Sequence, residues 1–298
     1  MITRSSLPII TLLACALAPA PADAYVRART CDPLGLEGRP CSVGEESRQL
    51  YWPQDCVTYY VQRDGSDDFP RASRREASEE LLWEVFGSFD TWSDPSCSSL
   101  RLVFGGQTCN QEVGLANDDV TGSMNVVMWR DLEWTHSSAA FGITTTTSNP
   151  NTGELLDADI ELNGVHFVFA SIQDEGDLRV DVRNTLTHEV GHLVGFAHEN
   201  TIAEATMSPD ANLGDVNKRD LHPDDLNGLC SVYPSATGEK PLCTPPAIQD
   251  DTCVIALEGQ ISCAQAPSPT PTHAPFWLLA LCLACAPIGY ISRRAHTP

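Results

Sequence analysis

Apolar positions recur along this chain with two periods, and each period predicts an element. On a helical projection Val182, Leu186, Val190 and Leu193 fall at about 120° to 200° from His188, a stripe that predicts an α-helix from about Asp181 to Val194 with one buried side. His188 and His192 share the opposite side. In LLDADIELNG the period is two, which sends Ala158, Ile160 and Leu162 to one face of a strand and Asp157, Asp159, Glu161 and Asn163 to the other. Longer apolar runs lie near both ends. The first, Leu7 to about Leu17, follows Arg4 and precedes a small-residue site framed by Ala22 and Ala24, so residues 1–24 are expected to be a signal peptide cleaved before Tyr25. LLAC around Cys15 offers a rival reading as a lipoprotein box, with an atypical Leu at its second position. The second run, FWLLALCLACAPIGYI, has roughly 16 to 18 apolar residues, about 24 to 27 Å of helix, and ends at Arg293 and Arg294. Positive residues belong inside, which places the bulk of the chain outside the cell.

The polar side of the 181–194 helix carries chemistry. In HEVGHLVGFAHE, His188 and His192 are four apart and lie about 40° from one another around the axis, so two imidazoles project toward one point. Gly195 lets the chain leave the helix through a left-handed conformation and swing His198 round as a third nitrogen ligand. Three histidines leave one position open, as a catalytic zinc requires. Glu189 lies about 100° around the helix from His188 and points past the metal, where it suits a general base acting on a zinc-bound water whose pKa the metal lowers to about 7. The reaction implied is hydrolysis.

With these residues in place the sequence resembles a metzincin metallopeptidase of the matrixin, or matrix metalloproteinase, type, whose signature is HExxHxxGxxH followed by a methionine turn. Met207, nine residues after His198 in AEATMSP, fits that turn and the hydrophobic floor it makes beneath the metal. The resemblance covers roughly residues 45 to 235. Trp52 and VTYYVQ at 57–62 are similar to the first strand, the segment from Ala72 to Ser93 ending in VFGSFDTWS to the first helix, and LRLVF at 100–104 to the second strand. LHPDDLNGLCSVYP at 221–234 is similar to the final helix and its terminal Tyr, with His222 at its start. The implied fold is α+β, a twisted, mixed five-stranded sheet with about three helices. The implied activity is that of a zinc endopeptidase whose substrate lies along an edge strand, here around Phe141 to Thr147. The chain departs from the family in three places: Glu199 after GFxH is closer to the astacin motif, Ser208 replaces the Tyr that commonly follows the Met, and the HFDxDE segment is absent.

The acidic strand stands where that segment would be. Asp157, Asp159 and Glu161 either bind calcium, which takes six to eight oxygens, or form a solvated face. His136 and His166 are expected to be hydrogen-bonded surface residues and not ligands.

Forty acids against 18 bases give a formal net charge of -22, which argues against nucleic-acid binding and for a soluble exported protein. Export makes the nine cysteines from Cys31 to Cys263 disulfide candidates, with at least one lacking an intramolecular partner. Cys31 and Cys41 are placed to close a short loop, while Cys56, Cys97, Cys109 and Cys230 are placed to brace the catalytic region in a pairing left open. GRPCSVG around Cys41 is faintly similar to the zinc-blocking propeptide motif of matrixins, although only about 20 residues precede it after export.

The organisation expected is therefore a signal peptide, a Cys-containing segment at 25–44, a catalytic domain at 45–235, a small Cys-containing segment at 236–263, a Pro/Thr/Ser linker at 264–275, an apolar helix at 276–292 and a basic tail at 293–298. The last parts resemble the sorting tails of bacterial surface proteins, those of myxobacteria in particular, and equally suit a simple tail anchor. The expected partners are a protein or peptide substrate and a membrane held through that helix, with the chain a monomer. A second class of function stays open, a surface adhesion or scaffold module that keeps the fold without turnover. Retention of Glu189 argues against it. The stretch between Met207 and Leu221, the wall of a specificity pocket, has no readable code.

Overall fold

β1 (Cys56–Gln62), β2 (Arg101–Thr108), β3 (Asn125–Trp129), β4 (Gly142–Ser148) and β5 (Leu155–Leu162) make a five-stranded mixed sheet in the order β2-β1-β3-β5-β4. Four strands run parallel; β4 alone is antiparallel, paired with β5 from Gly142 opposite Leu162 to Ser148 opposite Leu155, and forms one edge. A parallel connection needs a crossover, and α1 (Glu79–Ser93) supplies the one from β1 to β2. A two-stranded parallel ribbon, β6 (Phe169–Ala170) with β7 (Val180–Asp181), leads into α2 (Val182–Leu193), and α3 (Pro223–Val232) follows a 3-10 turn at Asn217–Arg219. This computed structural model describes residues 25–34, 39–69, 77–115, 123–174 and 176–245, all within the compact unit Met1–Leu257. The expected signal peptide, the lipoprotein-box Cys15, Cys253, Cys263, the linker and the C-terminal apolar helix lie outside the described residues. Among the described residues no helix is long and apolar enough to cross a membrane.

Each helix opens on a side-chain cap that satisfies an otherwise orphaned amide. Ser78 accepts from the Leu81 amide, Asp181 from Asn184 and His222 from Asp224, the last with Pro223 at the first helical position. The predicted stripe Val182, Leu186, Val190 and Leu193 is fully buried against α1 and the sheet face that carries Ala158, Ile160 and Leu162. Indole nitrogens lock this packing: Trp92 donates to the Thr187 carbonyl (2.7 Å) and Trp52 to Leu193 (2.9 Å). The Tyr233 hydroxyl donates to Val194 (2.8 Å) and accepts from the Trp52 amide (3.1 Å), tying the end of α3 to the end of α2.

The acidic face of β5 is buried, not solvated, and a calcium site there is not supported. Asp157 and Asp159 are wholly buried and Glu161 nearly so. The alternation was legible, but β5 is an interior strand between β3 and β4, and the chain around Gln111, Gly114 and Ser123 reaches over its second face. Protein groups already engage most of these carboxylate oxygens. Ser123 donates to Asp157, the amides of Gly114 (2.7 Å) and Val126 (2.9 Å) to Asp159, and Arg130 to Glu161 (2.6 Å), with His136 also on Glu161 (3.2 Å). His166 bonds Asn163 (3.0 Å). No acids of β5 join a three-ligand group among the described residues.

Burial first, and then the neighbouring Asp157 charge, push the Asp159 carboxyl up to about 8, and its proton supplies the donor that Asp157 Oδ2 otherwise lacks. A carboxyl raised in the folded state binds a proton that the unfolded chain has released, so this contact loses stability as pH climbs from about 4 toward 8. Asp157→Asn replaces a like charge by an amide donor. It is expected to flatten that loss by about 1 to 3 kcal/mol at pH 8 relative to pH 5, read from urea midpoints at the two pH values.

Candidate active site

α2 brings His188 and His192 to one side, as their spacing requires, and the chain then breaks at Gly195. Gly195 has φ +96°, and a Cβ there would lie 2.6 Å from the Leu50 carbonyl oxygen, so conformation and space both demand glycine. The turn carries His198 back over the helix. Ring centroids are 4.9 Å apart for His188 and His192, 5.3 Å for His188 and His198, and 4.7 Å for His192 and His198.

Backbone carbonyls orient two of the rings. His188 Nδ1 donates to Thr206 O (2.7 Å) and His192 Nδ1 to Phe196 O (2.8 Å). A carbonyl only accepts, so each Nδ1 carries the proton and each Nε2 presents a lone pair. His192 Nε2 and His198 Nε2 are 3.2 Å apart. Two tetrahedral ligands at about 2.0–2.1 Å from one zinc are separated by about 3.3 Å. One nitrogen from each of the three rings lies within 4.8 Å of the others, and burial together with the neighbouring His192 holds His188 well below the usual histidine range, neutral as a ligand must be. The donor set fits zinc.

Glu189 is buried beside these rings and both line one cleft of about 900 Å³. Burial pushes its carboxyl up to about 7, opposed by the hydroxyl of Thr144 on β4, which donates to Oε2 (2.7 Å). Met207 is buried under α2, where the missing side chain of Gly191 admits it: a Cβ at Gly191 would stand 2.1 Å from Met207 Sδ. Asp225 of α3 accepts from the amides of Thr206 (2.7 Å) and Met207 (3.3 Å), so the last helix fixes the turn that orients His188. Glu199 is buried and accepts from Thr201, apart from the ligand set.

Residues 123–234 match the family model for matrixin, the peptidase M10 family. The chain carries a matrixin-like metzincin catalytic domain. The matched segment of this matrixin-like domain runs from the start of β3 through α3 and includes the three histidines, Glu189 and Met207. The family implies zinc and a metallopeptidase. No curated protein matches the sequence. Among solved structures, the GM1-bound form of the ECX AB5 holotoxin aligns at 9% identity over 63% of this chain and 84% of that one, with a TM-score of 0.35, a likeness too slight to carry an argument.

Three contributors had no sequence signal. Thr144 reaches Glu189 because β4 is the strand beside α2, and Lys218 reaches the cleft from the 3-10 turn. The N-terminal segment forms a third wall: Val26 and Ala28 exchange backbone hydrogen bonds with Ala197 and Gly195 (both 2.9 Å), and Val26 to Arg29 line the cleft. Cys41 is bonded to Cys31 and is no zinc ligand here. Cys56 pairs with Cys243 and Cys97 with Cys230, and Cys109 is also disulfide-bonded. Zinc added to the metal-free protein is expected to stabilise it by about 2.7 kcal/mol at a free concentration one hundred times Kd, visible as a rise in Tm. His198→Ala is expected to remove most of that rise.

Proposed function

We propose that this chain is an exported zinc endopeptidase that hydrolyses peptide bonds of extracellular proteins. The observation that carries the proposal is the convergence of three imidazole nitrogens in a cleft that also holds the Glu189 carboxylate. His188, His192 and His198 would hold zinc, which when bound lowers the pKa of water to about 7 and polarises a carbonyl. Glu189 removes a proton from the attacking water and delivers it to the departing amine. Thr144 holds that carboxylate in place.

A substrate strand fits along β4, whose outer edge is unpaired in the sheet order of the described residues. Export is supported by the disulfides Cys31–Cys41, Cys56–Cys243 and Cys97–Cys230, which suit an oxidising compartment. A monomeric enzyme first tethered by the apolar helix at 276–292, with no role for nucleic acid, completes the reading. A silent scaffold has no use for a buried, hydrogen-bonded carboxylate beside the metal ligands, and nothing favours it.

Glu189→Gln is expected to lower kcat on a protein substrate by about 10² to 10⁴ while the zinc content stays at the wild-type value. Chelation should abolish turnover and added zinc restore it. Unchanged turnover in Glu189→Gln would sink the assignment of the base.

A further inference from the structure

Lys218 is 3% exposed, and burying an ammonium is costly unless it is fully partnered. Its backbone amide donates to Asn184 Oδ1 (2.7 Å), which pins the residue to the first turn of α2, and its Nζ donates to the Ser208 carbonyl. An ammonium has three N–H donors, so two remain. Among the described residues no carboxylate forms an ion pair with it. Glu189, Asp210, Asp215 and Asp225 act on it only at longer range, and two of these are otherwise engaged: Asp225 with the Thr206 and Met207 amides, Asp215 with Asn212.

Lys218 lines the same cleft as Glu189, together with Asn184, Thr185, Pro209 and Ala211. Thr185 adds an independent observation. It is 6% exposed, and its hydroxyl has no hydrogen-bond partner among the described residues. The cleft therefore holds a cationic donor and a hydroxyl donor with unused capacity, one turn of α2 away from the general base. Both are satisfied by the same chemistry, a carboxylate, which accepts from several donors at once.

Building on the endopeptidase reading, we infer that Lys218 and Thr185 form a specificity pocket for an acidic side chain, so that the enzyme cuts where Asp or Glu flanks the scissile bond. Neither group touches the reacting atoms. Their effect is on which substrate residue is seated next to Glu189, and it separates carboxylate from the isosteric amide, because only the carboxylate pairs with the buried ammonium.

The test is a peptide series with Glu or Gln at each position flanking the cut, assayed with the full chain. A preference for Glu of about tenfold in kcat/KM at one position is expected, from charge-assisted hydrogen bonds. Lys218→Met should erase the ratio, Lys218→Arg keep part of it, and Thr185→Val reduce it; a purely structural lysine would lower both peptides equally and leave the ratio standing. The wild-type series overturns the inference by itself if Glu and Gln are cut equally well. Calorimetric binding of the same peptides to Glu189→Gln keeps the two proposals apart: acid-selective binding without wild-type cleavage sinks the endopeptidase reading alone, and unselective binding sinks the acidic pocket.

Discussion

Three lone pairs must face one point, and that constraint organises the structure around α2. Helical spacing aims only two of them. The rest of the aiming is done by backbone carbonyls from two other segments, Phe196 O after the Gly195 turn and Thr206 O on the methionine turn. Each segment is itself held from elsewhere. Asp225 of α3 grips the Thr206 and Met207 amides, and the N-terminal segment bonds Gly195 and Ala197. The geometry of the three-histidine cluster is thus a tertiary property that begins from a local motif.

The sheet shows how one strand pattern can serve a role that its letters do not suggest. Alternation in Leu155–Leu162 divides apolar from acidic residues correctly, yet both faces are covered. Buried carboxylates then have to find donors, and they find them in a shared proton, two amides, a serine, an arginine and a histidine. Such a network is demanding in geometry and ties Gly114 and Ser123 to the strand beneath them.

What could be read directly from the sequence was whatever depends on near neighbours. The 181–194 helix, its buried stripe, Gly195 and the three histidines follow from spacing within one short stretch of chain, and the resemblance extended that reading to the first two strands and the last helix. Thr144 was hidden because its function comes from a strand order, not from its place in ITTTT. Lys218 was hidden for a similar reason: nothing near it in NKRD distinguishes a buried ammonium from a solvated one. Cysteine pairing was equally closed, since Cys56 and Cys243 are 187 positions apart and many pairings satisfy the same letters.

That bond has a mechanical consequence. Cys56 opens β1 and Cys243 follows α3, so the link between them encloses every strand of the main sheet and all three helices in one covalent loop. Tension applied between the two ends of the chain, as on a protein held to a surface by its tail, crosses from one side to the other through the sulfur pair. The strands and helices between the two cysteines are shielded from that load, whereas the N-terminal segment that bonds Gly195 and Ala197 lies outside the loop and bears it.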